Sequence, residues 1–382
     1  MPHENSVLHD LLKLLPWARF EQIVEERGSD HRVRELSTKS QLIALLYGQL
    51  AGAPGLREIV TGLESHKNRL YHLGAKPPRR STLSDANALR PSEVFSDLLH
   101  HMLAMAHRQL RRHVSEATYL IDSTSVRLNS LSGDWARFSE GVYAAKVHVI
   151  YDPDADRPTY AVITAANVND ISVAKEMPIR PGATYIWDLG YYDYGWWAEL
   201  ADAGCRIVTR LKSNTPLSVV SEQPVSEGGA ILSDRIGYLP ARQAFSRRNP
   251  FQDPVREVCV MTETGKTLRV VTNDLDASAQ EIADLYKRRW AIELFFRWVK
   301  QTLRITRFVG VSENAVRIQI AVALIAFLLL RIAQAALKMT FSPLAFARLV
   351  RANLMHRRRI DRLLGSDRPT GFNPDQMALQ WR

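Results

Sequence analysis

The sequence predicts an α/β fold in which a mixed β-sheet core lies between two helical regions. Residues 5 to about 110 repeat apolar positions with the period of a helix, and this period returns from about residue 278. Between these regions, from about residue 117, apolar and polar residues alternate as in half-buried strands. Strand-like and helix-like segments then follow one another, which is typical of a mixed sheet covered by helices. At about 100–200 residues per domain, the 382 residues are enough for two or three domains.

The first predicted helices carry recognisable start and stop signals. STKSQLIALLYGQLAG begins with a serine that suits a helix N-cap and ends with a glycine, and APGLREIVTGLES follows as a shorter helix. In KPPRRSTLSDANALRPS, Thr82 and Asp85 have the spacing of a capping box, which predicts another helix start. Arg79, Arg80 and Arg90 lie at the ends of that helix. They favour a helix-turn-helix-like contact with DNA, although a helical subdomain with solvated arginines explains them equally well.

Five strands are predicted after this region, in ATYLIDSTSVRL, VYAAKVHVIYD, PTYAVITAAN, ATYIWDLGYY and CRIVTRLKS. ISVAKEM and DYGWWAELADAG are predicted to be helices between the later strands. YYDYGWW is expected to pack in the core, with a stacking platform for bases as the alternative. Residues 213–275 combine Pro, Gly and Ser with short β-like runs, which predicts a β-rich insertion. Helices then continue nearly to the end, where HRRRIDR, residues 356–362, forms a basic cluster.

The charge of the chain points to a polyanionic partner. Its formal net charge is +10 and its pI about 9.7, which favours nucleic acid first and an anionic membrane second. Cys205 and Cys259 lack metal-ligand spacing, which indicates reduced thiols in a cytosolic protein. The N-terminus lacks the pattern of a signal peptide. The longest apolar run, residues 320–330, is shorter than the ~20 residues that cross a bilayer, so we expect a buried core helix.

Two aspartates directly follow apolar strand segments. Asp122 lies in YLIDSTS and Asp188 in YIWDLGYY, at equivalent places on two predicted strands. A charge at the end of a buried strand is costly unless it is solvated, paired or bound to a metal. Each aspartate is therefore a candidate metal ligand or, alternatively, a turn cap. Asp170 in NVNDIS also follows a strand and is expected to cap the next helix, with a supporting role beside the site as the alternative.

The segment YKRRWAIELFFRWVK combines apolar residues with regularly spaced polar ones. At about 100° per residue, one side of a single helix carries four polar side chains, Tyr286, Arg289, Glu293 and Lys300. Apolar residues occupy the opposite side, which is expected to be buried. A solvated i,i+4 pair of Arg289 and Glu293 would contribute only about 0.2–0.5 kcal/mol.

Three carboxylates and a row of cations are the groups that phosphodiester chemistry requires. Asp122, Asp188 and Glu293 offer hard oxygen ligands for one or two Mg²⁺ ions, with Mn²⁺ as a substitute. A bound metal also removes the mutual repulsion that raises the pKa values of clustered carboxylates. Arg289 and Lys300 are then predicted to contact DNA phosphates on either side.

The polar residues of this segment have the spacing Tyr-x2-Arg-x3-Glu-x6-Lys. This spacing resembles the Tyr-Arg-Glu-Lys signature of insertion-sequence family four transposases, a DDE class. Asp122 in LIDSTSV is similar to the first catalytic aspartate of that family, and Asp188 in WDLGYYD to the second. The long interval from Asp188 to Glu293 also suits the family, which carries a β-rich insertion before its last carboxylate. The N-terminal segments resemble one branch of these enzymes, so the resemblance covers most of the chain.

The resemblance implies a ribonuclease-H-like mixed-sheet catalytic core with a β-rich insertion. It further implies Mg²⁺-dependent cleavage and joining of double-stranded DNA at transposon ends and in the target, by a homodimer assembled on DNA. Such a protein is expected in the bacterial cytosol, associated with the nucleoid. The implied catalytic residues and metal ligands are Asp122, Asp188 and Glu293. The implied DNA-binding residues are Tyr286, Arg289 and Lys300, to which the helical region adds Arg79 and Arg80.

The predicted organisation has five regions along the chain. These are an N-terminal helical DNA-binding region (1–114), the first part of the ribonuclease-H-like core (115–212), the β-rich insertion (213–276), the second part of the core (277–335) and a C-terminal basic helical region (336–382).

One departure from the family concerns the insertion. Well-known relatives place a tryptophan there to stack on a flipped base during hairpin processing, whereas residues 213–275 contain no tryptophan. Tyr238, Phe245 and Phe251 are the aromatic residues available for such stacking. Two other functions remain open on the sequence. One is a DNA-binding transposase relative without catalysis, and the other is a metal-dependent nuclease that cuts DNA without joining it.

Overall fold

A computed structural model describes most of the chain, namely residues 5–110, 117–226, 228–244, 247–302, 308–339 and 341–363. The chain forms two compact units. The first combines Met1–Ala86 with Ile325–Arg382, and the second is Asn87–Leu324. Parts of the predicted end regions, among them residues 111–114 and 364–382, lie outside the described residues.

The described helices fill the first unit and cover the sheet of the second. The α-helices are α1 Val7–Leu12, α2 Trp17–Glu26, α3 Thr38–Ala51, α4 Leu56–Ser65, α5 Lys67–Leu70, α6 Arg80–Leu89, α7 Glu93–Leu110, α8 Gly133–Ala136, α9 Asp170–Ala174, α10 Tyr194–Asp202, α11 Ala279–Lys287, α12 Trp290–Thr302, α13 Glu313–Ala336 and α14 Pro343–Asn353. Short 3-10 helices lie at Tyr71–Leu73, Ser130–Ser132, Leu189–Tyr191 and Ile360–Arg362. The boundaries between the units fall inside α6 and α13.

The start of α3 follows the sequence signal, whereas the start of α6 does not. The Ser37 hydroxyl accepts from the backbone N–H of Ser40 at 3.2 Å, and Gly52 ends α3 with a φ of 71°, a conformation that favours glycine. The capping-box prediction for Thr82 and Asp85 is wrong, because both residues lie inside α6. The helix begins earlier because the carbonyl of Arg79 already accepts from the N–H of Leu83 at 3.0 Å.

The strands of the second unit form one large mixed sheet and one small hairpin. They are β1 Thr118–Leu128, β2 Arg137–Ser139, β3 Val142–Asp152, β4 Arg157–Ala165, β5 Thr184–Trp187, β6 Arg206–Arg210, β7 Ser218–Gln223, β8 Ile231–Tyr238, β9 Arg242–Ala244, β10 Arg247–Arg248, β11 Val255–Met261 and β12 Thr267–Thr272. The large sheet has the order β4-β3-β1-β5-β6-β12-β11-β8-β7, with β2 also paired to β3, while β9 pairs with β10.

The mixed sheet confirms the predicted fold class. β3 is antiparallel to both β1 and β4, whereas β1, β5 and β6 are parallel to one another. The five predicted core strands and the two helices between them, α9 and α10, are all present. The second unit is therefore a mixed α/β core whose helices cover a mixed sheet.

The β-rich insertion continues the core sheet. β12 pairs antiparallel with β6, with Val270 opposite Arg210 and Thr272 opposite Val208, and β11, β8 and β7 then extend the same sheet. Because β6 has both neighbours, its backbone is hydrogen-bonded on both sides. The insertion thus protects what would otherwise be an edge of the core sheet.

The core beside β5 is built from aromatic side chains. Trp187, Trp196, Trp197 and Tyr194 are each at most 1% exposed, and the rings of Trp187 and Trp196 lie 4.8 Å apart. The prediction that YYDYGWW packs in the core is confirmed. Side chains this deeply buried cannot stack on bases without opening the core.

The apolar run in α13 belongs to a buried helix. α13 is long and apolar enough to cross a membrane. However, 83% of its apolar 18-residue stretch is buried inside the protein. Core helices of soluble proteins have the same length and composition. The expectation of a buried core helix is confirmed.

Candidate active site

Asp122 and Asp188 emerge side by side from two parallel strands. β1 and β5 pair in register as far as Ile121 and Trp187, and the two aspartates are the next residues on their strands. β5 ends there, whereas β1 continues to Leu128 beside β3. Both aspartate side chains are partly buried, with 22% of Asp122 and 29% of Asp188 exposed. Parallel register therefore brings two carboxylates to the same place in the fold.

The segment predicted as one helix is in fact two. α11 and α12 are separated by a tight turn at residues 288 and 289, where the N–H of Arg289 donates to the carbonyl of Tyr286 and the N–H of Ile292 to that of Arg289. Both bonds span three residues and mark a 3-10 turn. The prediction that one helix carries all four polar residues is wrong, because Tyr286 lies on α11, where it is only 7% exposed, Arg289 lies in the turn, and Glu293 and Lys300 lie on α12. The apolar face of α12 is buried as expected, through Ile292, Phe295, Phe296 and Val299.

Arg289 lies among the three carboxylates. Its Nη2 donates to Oε1 of Glu293 at 2.6 Å. Its Nη1 lies 3.7 Å from Oδ2 of Asp122 and 3.9 Å from Oδ2 of Asp188. The Arg289 side chain is 15% exposed. Carboxylates from β1, from the end of β5 and from α12 thus meet around one guanidinium, which partly neutralises their negative charge.

The surroundings of Asp122 disfavour its charged form. Burial raises the pKa of Asp122 to about 6. The N–H of Ser123, which donates to Oδ1 at 2.8 Å, and the charge of Arg289 oppose this shift, whereas the charges of Asp188 and Glu293 add to it. Asp122 has no cation of its own at hydrogen-bond distance among the described residues. It is therefore the least compensated of the three carboxylates.

Asp188 differs because it has a cation of its own, Arg210. Burial alone would raise the pKa of Asp188, but hydrogen bonds from Arg210 and Leu189, with the charges of Arg210 and Arg289, outweigh burial and lower it. Nε of Arg210 donates to Oδ1 of Asp188 at 3.0 Å. The sequence analysis did not identify Arg210. This arginine is the last residue of β6, and Asp188 directly follows the neighbouring strand β5. Charged residues at the ends of neighbouring parallel strands were the available signal.

Tyr286 lies beside the carboxylate cluster, with the guanidinium carbon of Arg289 5.8 Å from the centre of its ring, whereas Lys300 lies further along α12. Burial, followed by the charge of Asp188, raises the pKa of Tyr286 to about 12. Its hydroxyl is buried and has no hydrogen-bond partner among the described residues. Lys300 is half-buried, and burial lowers the pKa of its ammonium group. It lies two turns beyond Glu293, at about 10 Å along the axis of α12.

The predicted DNA contacts outside the core belong to the first unit. Arg79 and Arg80 are both exposed at the start of α6. Their exposure is compatible with a DNA contact and with plain solvation. Of the aromatic residues considered for base stacking, Tyr238 is 43% exposed, Phe251 is buried at 3%, and Phe245 lies outside the described residues.

A fourth carboxylate, Asp170, contacts Asp122 indirectly. Its Oδ1 accepts from the hydroxyl of Ser123 at 2.8 Å and lies 3.0 Å from Nζ of Lys146. His148 follows on the same face of β3, with Nδ1 3.5 Å from Asp170, and burial lowers its pKa to about 4, so it is neutral. The expectation that Asp170 caps α9 is wrong, because the preceding Asn169 is the N-cap.

The carboxylate oxygens of Asp122, Asp188 and Glu293 are of the type that binds hard divalent metals. Carboxylate oxygens are the ligands that Mg²⁺ and Mn²⁺ prefer, and the three carboxylates converge on one positively charged group. Within the described ranges, no three His, Cys, Asp or Glu side chains are close enough together to hold a metal ion. The arrangement around Arg289 is thus one in which a guanidinium supplies the positive charge.

Comparison with known families identifies the second unit. The family described as the transposase DDE domain matches residues 115–329, a range that contains Asp122, Asp188 and Glu293. A domain of unknown function (DUF4372) matches residues 3–76. Members of the DDE transposase domain family generally use a divalent metal.

Two relatives found by sequence agree with this match. The chain is 40% identical over 301 residues to y4zB of Sinorhizobium fredii, which is named as a transposase, covering 78% of this chain and 82% of that protein. It is 30% identical over 255 residues to a protein of Geobacillus stearothermophilus named as the transposase of insertion sequence element IS5377, covering 66% of each chain. A solved structure of the piggyBac transposase synaptic complex with hairpin DNA is similar with a TM-score of 0.49 and 12% identity, over 96% of this chain and 83% of that one. The chain belongs to the DDE transposase family.

Proposed function

We propose that the protein is the transposase of a bacterial insertion sequence, of family four with the Tyr-Arg-Glu-Lys signature. It binds the terminal inverted repeats of the element and catalyses Mg²⁺-dependent DNA strand cleavage and strand transfer. The observation that carries the proposal is the meeting of Asp122, Asp188 and Glu293 around Arg289. The net charge of +10 supports a DNA substrate.

The three carboxylates are proposed to hold the metal, which is Mg²⁺ or, as a substitute, Mn²⁺. When bound, a divalent metal activates the attacking oxygen and stabilises the charge on the leaving oxygen. Asp188 suits this role because its lowered pKa keeps it ionised. Asp122, with a pKa of about 6, is ionised above that pH and gains most from an added positive charge.

Arg289, Lys300 and Tyr286 are proposed to hold the phosphates that flank the scissile bond. Arg289 can redirect its guanidinium from the carboxylates to a phosphate once another cation neutralises them. The unpartnered hydroxyl of Tyr286 supports a hydrogen bond to a bound group. Arg79 and Arg80 are proposed to contact DNA outside the catalytic core.

The proposed reaction has two balanced steps. In the first, a water oxygen attacks the phosphorus at the transposon end, the P–O3′ bond breaks, and a free 3′-hydroxyl and a 5′-phosphate result. In the second, that 3′-hydroxyl attacks a phosphodiester of the target, whose own P–O3′ bond breaks. Both steps need the same groups, which hold the phosphate and neutralise its charge. We propose that two chains act together in the bacterial cytosol, because two ends must be joined.

The test is a cleavage assay on labelled DNA that carries the ends of the element with flanking sequence. The purified protein is compared with three variants, Asp122→Ala, Asp188→Ala and Glu293→Ala, in Mg²⁺ and in EDTA. The matched control is Asp202→Ala, which removes an exposed carboxylate at the end of α10. We expect metal-dependent nicking at the end and joined products for the unmodified protein and the control, and neither for the three variants.

Other outcomes assign a different function. Tight binding of the ends without cleavage in Mg²⁺ or Mn²⁺ would identify a DNA-binding relative that lacks catalysis. Cleavage without joined products would identify a nuclease. Full cleavage by Glu293→Ala would remove Glu293 from the proposed site.

A further inference from the structure

The first unit contains an open cavity of about 840 Å³ with a strongly basic lining. Its basic residues come from two distant parts of the sequence, and we call the cavity the arginine groove after them: His66, Arg69, Arg351, His356, Arg357 and Arg358. No Asp or Glu is found among the described residues that line it. Neither sequence segment by itself predicts this cavity.

Hydrogen bonds hold the segment after α14 against the N-terminal helices and against Arg69. The N–H of Leu8 donates to the carbonyl of Leu354 at 2.9 Å, and Ser6 forms a β-bridge with Arg357. Nη1 of Arg69 donates to the carbonyl of Met355. The segment after α14 is therefore tied to the N-terminal helices by bonds that do not use the side chains of Arg357 and Arg358.

Arg351 fixes the other wall. Its Nε donates to the carbonyl of Leu50 at 3.2 Å, close to the end of α3. A Cβ on Gly52 would lie 3.1 Å from the Arg351 guanidinium, and Gly52 has a φ of 71°. Glycine at this position thus both ends α3 and leaves space for the arginine. The Arg351 side chain is therefore held in place by its hydrogen bond to Leu50 and by the space that Gly52 leaves for it.

No carboxylate lines the arginine groove in the part of the chain that the structure describes. Arg357 and Arg358 are exposed, and the structure assigns neither of them an acidic partner in its described part. The next residue, Arg359, lies 2.8 Å from Oδ2 of Asp361. Burial, followed by the charges of Arg69 and His356, lowers the pKa of His66. Basic groups that repel one another in this way favour an anion between them.

We propose that the arginine groove binds phosphates of the DNA backbone, as a second DNA site outside the catalytic core. The inference rests on the proposed function and assigns a DNA contact to residues of the first unit. Arginine forks bind phosphate oxygens in pairs, and the groove offers the exposed guanidinium groups of Arg357 and Arg358 beside those of Arg69 and Arg351, which also bond backbone carbonyls. A single small anion would leave most of these cations unused, whereas successive phosphates of a duplex would engage them.

Contacts with the phosphates of DNA position a protein on the duplex but do not read the base sequence. The arginine groove is therefore expected to contribute equally to binding of the element's ends and of random DNA. Each phosphate contact that is removed lowers the slope of log affinity against log salt concentration by about 0.9.

The test measures binding of two short fluorescent duplexes, one with an end of the element and one of random sequence, in EDTA at several NaCl concentrations. The test variant is Arg357→Gln/Arg358→Gln. The control variant, Arg348→Gln/Arg359→Gln, removes the same charge from exposed arginines of the same unit that do not line the groove. We expect the test variant to lose roughly tenfold or more in affinity for both duplexes, and the salt slope to fall by about 2. The control variant should change little in either quantity.

Equal behaviour of the two variants would overturn the proposal, because net charge alone would then explain the loss. A loss confined to the end duplex would also overturn it, since it would indicate base reading. Thermal melting checks that both variants are folded, and the charge reversal Arg357→Glu/Arg358→Glu should deepen the loss. If the unmodified protein binds neither duplex, the proposed function itself fails. If it binds and cleaves DNA while the test variant binds like the control, only the arginine groove is wrong.

Discussion

At the scale of single residues, the candidate site is defined by unequal compensation of three carboxylates. Glu293 accepts a hydrogen bond from Arg289 at 2.6 Å, and Asp188 accepts one from Arg210 at 3.0 Å. Asp122 is 3.7 Å from Arg289 and otherwise accepts from the backbone of Ser123. Burial and the neighbouring carboxylates therefore act most strongly on Asp122, and its pKa is raised while that of Asp188 is lowered.

The substitution Asp122→Asn should stabilise the metal-free protein above about pH 6. The folded protein binds the Asp122 proton more tightly than the unfolded chain, so this residue lowers the free energy of unfolding as pH rises from about 4 through about 6. We expect the variant to gain about 1–3 kcal/mol near pH 7.5 and almost nothing near pH 4. Urea unfolding in EDTA at both pH values measures this gain. An equal gain at both, or a loss near neutral pH, would contradict the raised pKa.

Arg289 should compete with divalent metal for the three carboxylates. Its guanidinium contacts Asp122, Asp188 and Glu293 in the structure, so removing its charge leaves them without that compensation. We expect Arg289→Gln to bind Mn²⁺ roughly tenfold more tightly, measured by electron paramagnetic resonance of free Mn²⁺. Arg297→Gln is the control, because Arg297 is exposed on the same helix. Weaker Mn²⁺ binding by Arg289→Gln would show that Arg289 supports the metal site instead.

At the scale of elements, the turn between α11 and α12 and the insertion strands decide how the site is assembled. The turn contains neither glycine nor proline. It is stabilised from outside, since Nη1 of Arg288 donates to the hydroxyl of Thr118 at 3.3 Å and Nη2 contacts Asp154. β12 leads into α11 through residues 273–278, so the insertion and α11 share an anchored connection.

That connection depends on a buried ion pair. Asp234 of β8 is 3% exposed and accepts from both Nε and Nη2 of Arg256, whose Nη1 donates to the carbonyl of Leu275 at 2.9 Å. Asp234→Ala leaves the arginine buried without its partner, so we expect a loss of about 3–5 kcal/mol in the free energy of unfolding. The exposed pair of Arg235 and Glu222 is the control, for which Glu222→Ala should cost less than about 1 kcal/mol. Similar urea midpoints for the two variants would refute the importance of the buried pair.

At the scale of the whole molecule, the chain forms two compact units and passes from one unit to the other twice along the sequence. The first unit takes its residues from both ends of the chain, and the second is the continuous stretch between them. Each unit carries basic side chains that suit DNA, Arg289 and Lys300 in the second and the arginine groove in the first. The first unit has 22 Lys and Arg against 13 Asp and Glu, and the second has 28 against 27, so nearly all of the net charge of +10 belongs to the first unit.

Two chains are expected in each complex with DNA ends. Joining an element to its target requires both ends to be held at once, which one site cannot do alone. We expect mass photometry in EDTA to show particles with two chains when DNA carrying the end is present. Asp122→Ala should form the same particles, because assembly does not need catalysis. One chain for each DNA at saturating protein concentration would contradict the expected homodimer.

The sequence by itself determined the class of fold and most of its elements. Alternating apolar residues located the five core strands, and the serine and glycine signals located α3, because such local patterns reflect local backbone preferences. The positions of Asp122 and Asp188 directly after apolar strand runs marked both as candidate metal ligands, and the parallel pairing of β1 with β5 brings them together. The high positive charge indicated the class of partner.

Only the tertiary structure decided the contacts between distant segments. It showed Arg289 among the three carboxylates, Arg210 beside Asp188, and the insertion continuing the core sheet. It also replaced one predicted helix by two, because contacts of Arg288 with remote residues stabilise a turn that has no local signal. The arginine groove exists because residues near position 66 and near position 357 pack together. Such pairings depend on how the whole chain packs, which local sequence patterns do not encode.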